Sequence, residues 1–186
     1  MTRTIISTCV FMVSLLATIS SANGATQQRR LDDYESALRA RIEERLDEFR
    51  VALQNPEASA EPVAHAAARA RARVGESVTD DAPHQTSLSN SFGSVVSVHE
   101  SNDGKGQDVE IRLTMPIGAF MEFAPIAALE AASIPHKFPV VYIYLREETT
   151  DRVARVAFRD AEPIAGRYLA GDEGAVDEMR AALIWH

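Results

Sequence analysis

The stretch LTMPIGAFMEFAPIAALEAA, from Leu113 to Ala132, joins a strand-like pattern to an apolar, helix-like one. Such junctions often carry chemistry because they direct the free N–H groups of a helix N-terminus to one point. No Walker or G-x-G-x-x-G pattern accompanies it, and no serine lies in a G-x-S-x-G elbow. The junction is the first place to expect a site, but its chemistry has to come from other residues.

The residues that commonly bind metals are scattered. The five histidines include no HExxH motif and no close pair, whereas a zinc site needs three or four converging ligands. The segment ESNDGKGQD superficially suggests a calcium loop, but neither alignment of its glycines supplies the required oxygen ligands. We interpret it as a hairpin turn centred on Asp103-Gly104. The sequence predicts no metal and no cofactor.

Glu147, Glu148 and Asp151 cluster at a strand end, where a solvated loop is a better interpretation than paired catalytic carboxylates. The single cysteine, Cys9, lies in the N-terminal apolar segment, so the rest of the chain has no thiol chemistry. The net charge of −8 argues against a nucleic acid or an anionic lipid as the main partner. We therefore predict a protein that is not an enzyme.

The N-terminus is typical of a secretory signal. Arg3 precedes an apolar run over 5–19 and a small, polar segment over 20–25, which predicts a signal peptide over 1–22 and a periplasmic or secreted protein. The apolar run is shorter than the ~20 residues of a spanning helix. A retained membrane anchor is the alternative.

Two charged helices are predicted over 27–75. The first carries one apolar stripe, with steps of three and four residues, formed by Leu31, Tyr34, Leu38, Ile42, Leu46, Phe49 and Leu53. The second begins near Ser59, ends at Gly75, and could direct Arg69, Arg71 and Arg73 towards the acids of the first. An αα-hairpin and a coiled-coil dimer both fit. The Ser-rich segment 76–94 is typical of a flexible linker.

The segment 95–186 predicts an α/β domain with the order β-β-α-β-α-β-α. A hairpin is followed by a helix over Ala119–Ser133, and FPVVYIYLRE has the pattern of a buried strand. The segment PIAGRYLAG reads as a short strand, and Asp172–Trp185 as a helix. Phe120, Met121 and Phe123 cannot all face one core. Either their helix is sandwiched between the sheet and the N-terminal hairpin, or one side of it is a partner-binding patch.

This layout resembles the thioredoxin-like fold: a mixed sheet with helices, in which a strand leads into a helix that contains a proline, here Pro125. The resemblance places Ile117-Gly118-Ala119-Phe120 at the redox Cys-x-x-Cys position, so disulfide exchange is excluded. It also places Glu162-Pro163 near the position of the cis-proline. The candidate partner-binding residues are Ile117, Gly118, Phe120, Met121, Glu162 and Pro163.

One cysteine-free branch is closer in layout. The F-type conjugative pilus assembly proteins (the TrbC group) combine a secretory signal, a charged helical region and a thioredoxin-like domain. Thr114-Met115-Pro116 loosely matches the Ser-hydrophobic-Pro step that ends a strand in that group. The resemblance implies a periplasmic assembly role.

The functional prediction is an exported, non-catalytic interaction or assembly factor of the cell envelope, in a conjugative transfer or secretion apparatus if the resemblance holds. The partner would be a protein, or a second copy bound through the helical segment. The alternative is a periplasmic hydrolase-type enzyme or a small-molecule-binding protein of another family.

Overall fold

The computed structural model describes residues 4–58, 61–77 and 92–186. Their helices are α1 (Thr4–Gln54), a 3-10 turn (Pro56–Ala58), α2 (Glu61–Ser77), α3 (Ile117–Ser133), α4 (Phe158–Leu169) and α5 (Ala175–Ala182). Their strands are β1 (Gly93–Glu100), β2 (Gln107–Thr114), β3 (Val140–Glu147), β4 (Val153–Ala157) and β5 (Ile184–Trp185). Most of the predicted linker, 78–91, lies outside the described residues.

The strands form one mixed sheet in the order β1-β2-β3-β4-β5. Neighbouring strands are antiparallel except β2 and β3, which are parallel and are joined through α3. The predicted hairpin between β1 and β2 is confirmed. Its turn contains Gly104 at φ +65°, a left-handed conformation that favours glycine.

Helix α3 is the centre of the core, because an almost wholly apolar helix is stable only where it is covered on all sides. It packs against β2 and β3 and is also contacted by α1, α2, α4 and α5. From Ala119 to Ala132 every side chain except Met121 is buried. Helices and strands therefore share one hydrophobic core.

The predicted apolar stripe of the first helix is confirmed, and it is covered by the chain itself. Six of its side chains, from Tyr34 to Leu53, are buried in the shared core, and Leu31 packs at its margin. The Tyr34 hydroxyl donates a hydrogen bond of 2.8 Å to the Ala131 carbonyl of α3. A partner of α1 would therefore meet its charged side and not the stripe.

Residues 4–22 of the predicted signal segment belong to α1, which continues without interruption to Gln54. In the part of the chain that the structure describes, no helix is both long enough and apolar enough to cross a membrane.

The predicted element order is wrong after β3. The segment that contains PIAGRYLAG is helical and forms most of α4, and the predicted C-terminal helix ends at Ala182, before β5. Helix α4 buries Phe158, Ala161, Ile164 and Ala165. These positions follow the helical steps of three and four, which Pro163 and the preceding valines obscured in the sequence.

A thioredoxin-like fold is not confirmed; the described residues establish a mixed α/β fold. Pro163, placed by the resemblance at a cis-proline, lies inside α4, and the described peptide bonds are all trans. Strand β3 also differs from its prediction, because only alternate residues of it are buried. Ile143 and Leu145 face the helices, whereas Tyr142 and Tyr144 lie half-buried on the other face.

A side chain of α1 forms a hydrogen bond with the backbone of β1, the edge strand of the sheet. Arg39 Nη2 donates a hydrogen bond of 3.0 Å to the Val96 carbonyl and pairs with Glu35, also at 3.0 Å. The Glu35–Arg39 pair agrees with the i,i+4 spacing of the sequence.

A substitution at Gly106 would test how closely the β1–β2 hairpin packs against Pro139, in the loop before β3. A Cβ atom at this position would lie 2.5 Å from the Pro139 carbonyl oxygen. We expect Gly106→Ala to lower the free energy of unfolding by about 1–3 kcal/mol, because backbone has to move. The measurement is urea unfolding followed by circular dichroism.

Gly166→Ala is the matched control. Gly166 lies in α4, and no atom lies within 4 Å of the position that an added methyl group would occupy. Alanine should therefore stabilise the helix by about 0.5–1 kcal/mol. Equal effects of the two substitutions would contradict the close approach at Pro139.

Candidate functional site

Two buried carboxylates interrupt the apolar helix α3. Glu122 is fully buried and Glu130, eight residues later, is 2% exposed. Acidic side chains are almost never this buried unless they are paired. In the sequence this helix has an apolar pattern, which does not single out either residue. Their spacing of about two helical turns, next to arginine-rich helices, is the signal that would have found them.

Glu122 is bound by three arginines. Arg69 Nε lies 2.8 Å and Arg180 Nη2 2.6 Å from its Oε2, and Arg73 Nε lies 2.9 Å from its Oε1. Burial holds the pKa of Arg180 below its ordinary value against the opposing charge of Glu122, and the charges of Arg69 and Arg73 act in the same direction as burial. The cluster joins α2, α3 and α5.

Glu130 forms the equivalent junction with α1 and α4. Its Oε1 accepts hydrogen bonds from Arg45 Nε at 2.7 Å and from the Tyr168 hydroxyl at 3.0 Å, and Arg41 Nη1 lies 3.3 Å from Oε2. Burial, together with the charge of Glu130, raises the pKa of Tyr168 to about 12. Tyr168 is therefore a hydrogen-bond donor at neutral pH.

The arginines of the second helix do not bind where the sequence suggested. Arg69 and Arg73 were expected to face the acids of the first helix, but both bind Glu122 of α3. The reason is that a fully buried carboxylate needs a partner far more than an exposed one, which water already solvates.

The candidate residues at the start of α3 differ in exposure. Ile117 is 37% exposed, and Gly118 and Met121 are half-buried. Phe120 is fully buried, with its ring centroid 6.1 Å from that of Trp185, so it cannot contact a partner directly in this conformation. For Phe120 and Phe123, the sandwiched interpretation of the helix is confirmed.

Glu162 and Pro163 are both exposed on α4. Near the end of α4, the Tyr168 hydroxyl donates a hydrogen bond to Glu130 of α3. At the start of α4, the Phe158 ring packs on His136, which lies beyond the end of α3. Ile117 lies thirteen residues before Glu130, about 20 Å along the helix. These contacts align α4 with the C-terminal part of α3, away from the other candidate residues.

The second feature is a sheet face that the described helices leave uncovered. Cross-strand registers arrange its side chains in rows. One row is Ser97, Glu110, Tyr144, Arg155 and Ile184; the next is Val95, Arg112, Arg146 and Val153. We call this surface the open face. The sequence offered a signal for it, since tyrosines alternate with aliphatic residues in VVYIYL, and that alternation was interpreted as a buried strand.

Two tyrosines and an arginine lie at the centre of the open face. The rings of Tyr142 and Tyr144 are 5.9 Å apart, and the Arg155 guanidinium carbon lies 5.8 Å from the Tyr142 centroid, within the range of a cation–π interaction. Burial raises the pKa of Tyr144, and the nearby carboxylate of Asp108 acts in the same direction. Arg155 Nε is buried without a hydrogen-bond partner among the described residues.

Asp108 lies on the same face, opposite His99 of β1, and is 2% exposed. Burial raises its pKa above the ordinary 3.8, although the Tyr142 backbone N–H and the nearby His99 oppose this shift. Within the described residues its Oδ1 accepts no hydrogen bond. Such an orphaned buried acceptor is uncommon in native proteins and needs an explanation.

The acidic cluster after β3 is only partly the solvated loop that was predicted. Glu148 and Asp151 are exposed, but Glu147 is fully buried. Burial alone would raise its pKa, but hydrogen bonds from Thr150 and from the Thr149 and Thr150 backbone outweigh burial and hold it below the ordinary 4.5. Glu147 is therefore a structural acceptor that organises the turn. The described residues contain no group of three or more His, Cys, Asp or Glu placed to hold a metal ion.

Removing the charge of Glu122 should strongly destabilise the protein. In Glu122→Gln three arginines lose their shared counter-charge, and we expect a loss of about 3 kcal/mol in the free energy of unfolding. The measurement is urea unfolding at neutral pH. Glu44→Gln, an exposed position on α1, is the control and should change stability little. If both variants unfold at the same urea concentration, the arginine cluster does not hold these helices together.

The pKa values of the two buried carboxylates of the sheet, Glu147 and Asp108, are shifted in opposite directions, so their effects on stability should depend on pH in opposite ways. Because the folded-state pKa of Glu147 is lowered, its contribution to stability is present above the ordinary pKa and is lost as the pH falls through the folded value. For Asp108 the folded-state pKa is raised, so stability decreases as the pH rises from its ordinary pKa through the folded one.

Carboxyl-carbon NMR titration would measure both values. Thr150→Val removes one donor to Glu147 and should raise the pKa of Glu147 without moving that of Asp108. A Glu147 pKa above its ordinary value in the unmodified protein would refute the assignment of this turn.

Comparisons with known proteins give no relative for this chain: no protein-family model matches it, and neither does a curated protein or a solved structure.

Proposed function

We propose that this chain is a protein-interaction or assembly factor without a catalytic role, and that the open face of its sheet is the contact surface. The observation that carries the proposal is the uncovered group of Tyr142, Tyr144 and Arg155. Tyrosine and arginine are enriched at protein interfaces and, with tryptophan, among the residues that dominate binding energy. Tyrosine offers a large apolar ring with a polar end, which suits a surface that is wet before binding and dry afterwards.

The partner in this proposal is a polypeptide. The open face leaves one acceptor, Asp108 Oδ1, and one donor, Arg155 Nε, without hydrogen bonds among the described residues. Both adjoin Tyr142, since its backbone N–H binds Asp108 and its ring lies under Arg155. Because both atoms are buried, a partner does not reach them in this conformation. A polypeptide is instead favoured by the residue types at the centre of the face, since tyrosine and arginine are enriched where proteins bind proteins.

Exposed apolar side chains support the same surface. Val95 is 44% exposed and Ile184 is 53% exposed, and both project from the open face at opposite sides of the tyrosine pair. An apolar border of this kind adds area that binding can remove from water, at roughly 25 cal/mol per Å².

The setting of this role is also part of the proposal. We place it in the cell envelope, on the basis of the signal-like segment 1–22, and in an assembly apparatus, on the basis of the resemblance to the TrbC group. The thioredoxin-like interpretation of the fold is also part of the proposal, and it rests on the strand that leads into the proline-containing helix α3.

The test compares capture of envelope proteins by the full chain and by two variants. A partner retained by the unmodified protein should be lost from Tyr144→Ala. The affinity of the purified partner should fall at least about tenfold, because truncating a residue that dominates an interface costs about 2 kcal/mol or more and about 1.4 kcal/mol is a factor of ten. Leu169→Ala, which truncates a side chain that is 61% exposed on α4, is the control and should bind like the unmodified protein.

Unchanged binding by Tyr144→Ala would contradict the proposed surface even if a partner is found. Circular dichroism of each variant shows whether it is folded, which separates loss of the surface from loss of the protein.

A further inference from the structure

Two arginines converge on the sulfur of Met121, one turn into α3. Arg152 Nη1 lies 3.3 Å and Arg73 Nη1 3.8 Å from Met121 Sδ. A thioether is an uncharged and weak acceptor, so it brings the two cations together without neutralising them. The two nitrogens are within about 7 Å of each other, a distance at which like charges repel.

The described residues around this pair leave it with an excess of positive charge. Arg73 shares Glu122 with Arg69 and Arg180, and Asp177 is the other carboxylate that reaches this group. Among the described residues Arg152 forms no ion pair. Within the part of the chain that the structure describes, four arginines thus face two acids, although the net charge of the whole chain is −8.

The acids of the neighbouring turn are already engaged. Glu147 is bound by Thr149 and Thr150, and Glu148 accepts a hydrogen bond of 2.7 Å from the Thr114 hydroxyl. Asp151 pairs with Arg146, and none of these three acids forms an ion pair with Arg152.

The two arginines and Met121 lie near the N-terminus of α3, which begins at Ile117. Helical side chains lean towards the N-terminus, so the Met121 sulfur holds both guanidinium groups beside the first turn. That turn has no side-chain cap and no acidic residue, and its first N–H groups have no partner within the helix. Ile117 is exposed and Gly118 half-buried, so the turn is accessible from solvent.

We propose that Arg73 and Arg152 form a binding site for a tetrahedral oxyanion, phosphate or sulfate, at the start of α3. Hydrogen bonds of ~2.8 Å from each guanidinium to two oxygens of one such anion span the gap between them. The anion replaces the thioether as the group between the cations and adds the negative charge that the cluster lacks. The site lies on the helical side of the sheet and is independent of the open face.

The test is calorimetric titration of the full chain with inorganic phosphate at constant ionic strength, with acetate in a parallel titration. We expect saturable binding of phosphate, at least tenfold weaker binding by Arg152→Gln, and weaker binding of acetate. Arg159→Gln is the control, because Arg159 is exposed on α4 and away from Met121; it should bind like the unmodified protein. Arg152→Gln leaves the Glu122 cluster intact, so its folding should be preserved, and circular dichroism checks this.

Phosphate could arrive free or as a lipid headgroup, and flotation with phosphatidylcholine vesicles, with and without phosphatidic acid, distinguishes these sources. Flotation that requires phosphatidic acid and Arg152 supports the site with a lipid ligand, and saturable heat with inorganic phosphate supports it with a free one. The proposal is overturned if neither occurs, if Arg152→Gln binds as well as the unmodified protein, or if acetate binds as tightly as phosphate.

Discussion

A carboxylate removed from water inside a protein has to be neutralised nearby, and α3 carries two of them. Glu122 and Glu130 are surrounded by apolar residues of their own helix, so the compensating groups come from its neighbours. Arginines of α1, α2 and α5 and the Tyr168 hydroxyl of α4 supply them. Apolar contacts alone are non-directional, whereas each of these bonds fixes one helix relative to α3. We interpret the two glutamates as the points that set how four helices pack around the fifth.

Placing all that packing on one side of the sheet has a consequence for the other side. Residues that alternate along a strand point to opposite faces, so the strands that bury Ile111 and Ile143 against α3 must present Glu110 and Tyr144 outwards. The open face is thus as strictly determined as the core. Its tyrosines remain half-buried because they pack on each other and on Arg155.

The sequence was informative where periodicity was undisturbed. The stripe from Leu31 to Leu53, the hairpin at Gly104 and helix α3 follow from local patterns and agree with the structure. The predicted order of elements was wrong after β3. The β-branched residues around Val153 indicate a strand, which the structure has, but the proline in α4 made a helical segment resemble a short strand.

The site residues were harder to predict, since they depend on long-range partners. Glu122 looks like any polar residue of a helix until Arg180, distant in sequence, is placed beside it. In β3 the alternation of tyrosines with aliphatic residues is a local signal for a strand covered on one face, but it is a weak one because tyrosine is also common in buried strands. The burial of Asp108 depends on its register with His99 and on the neighbouring Tyr142, and composition carries no information about either.

The hydrogen bond from Arg39 to the Val96 carbonyl bears on how copies of this chain can associate. An edge strand with free backbone groups is a template for sheet extension from molecule to molecule, the route to fibres and domain swaps. Here an incoming strand would have to displace a charged donor that is itself held by Glu35. The long N-terminal helix thereby places a charged side chain across this edge, which makes the addition of another strand there less favourable.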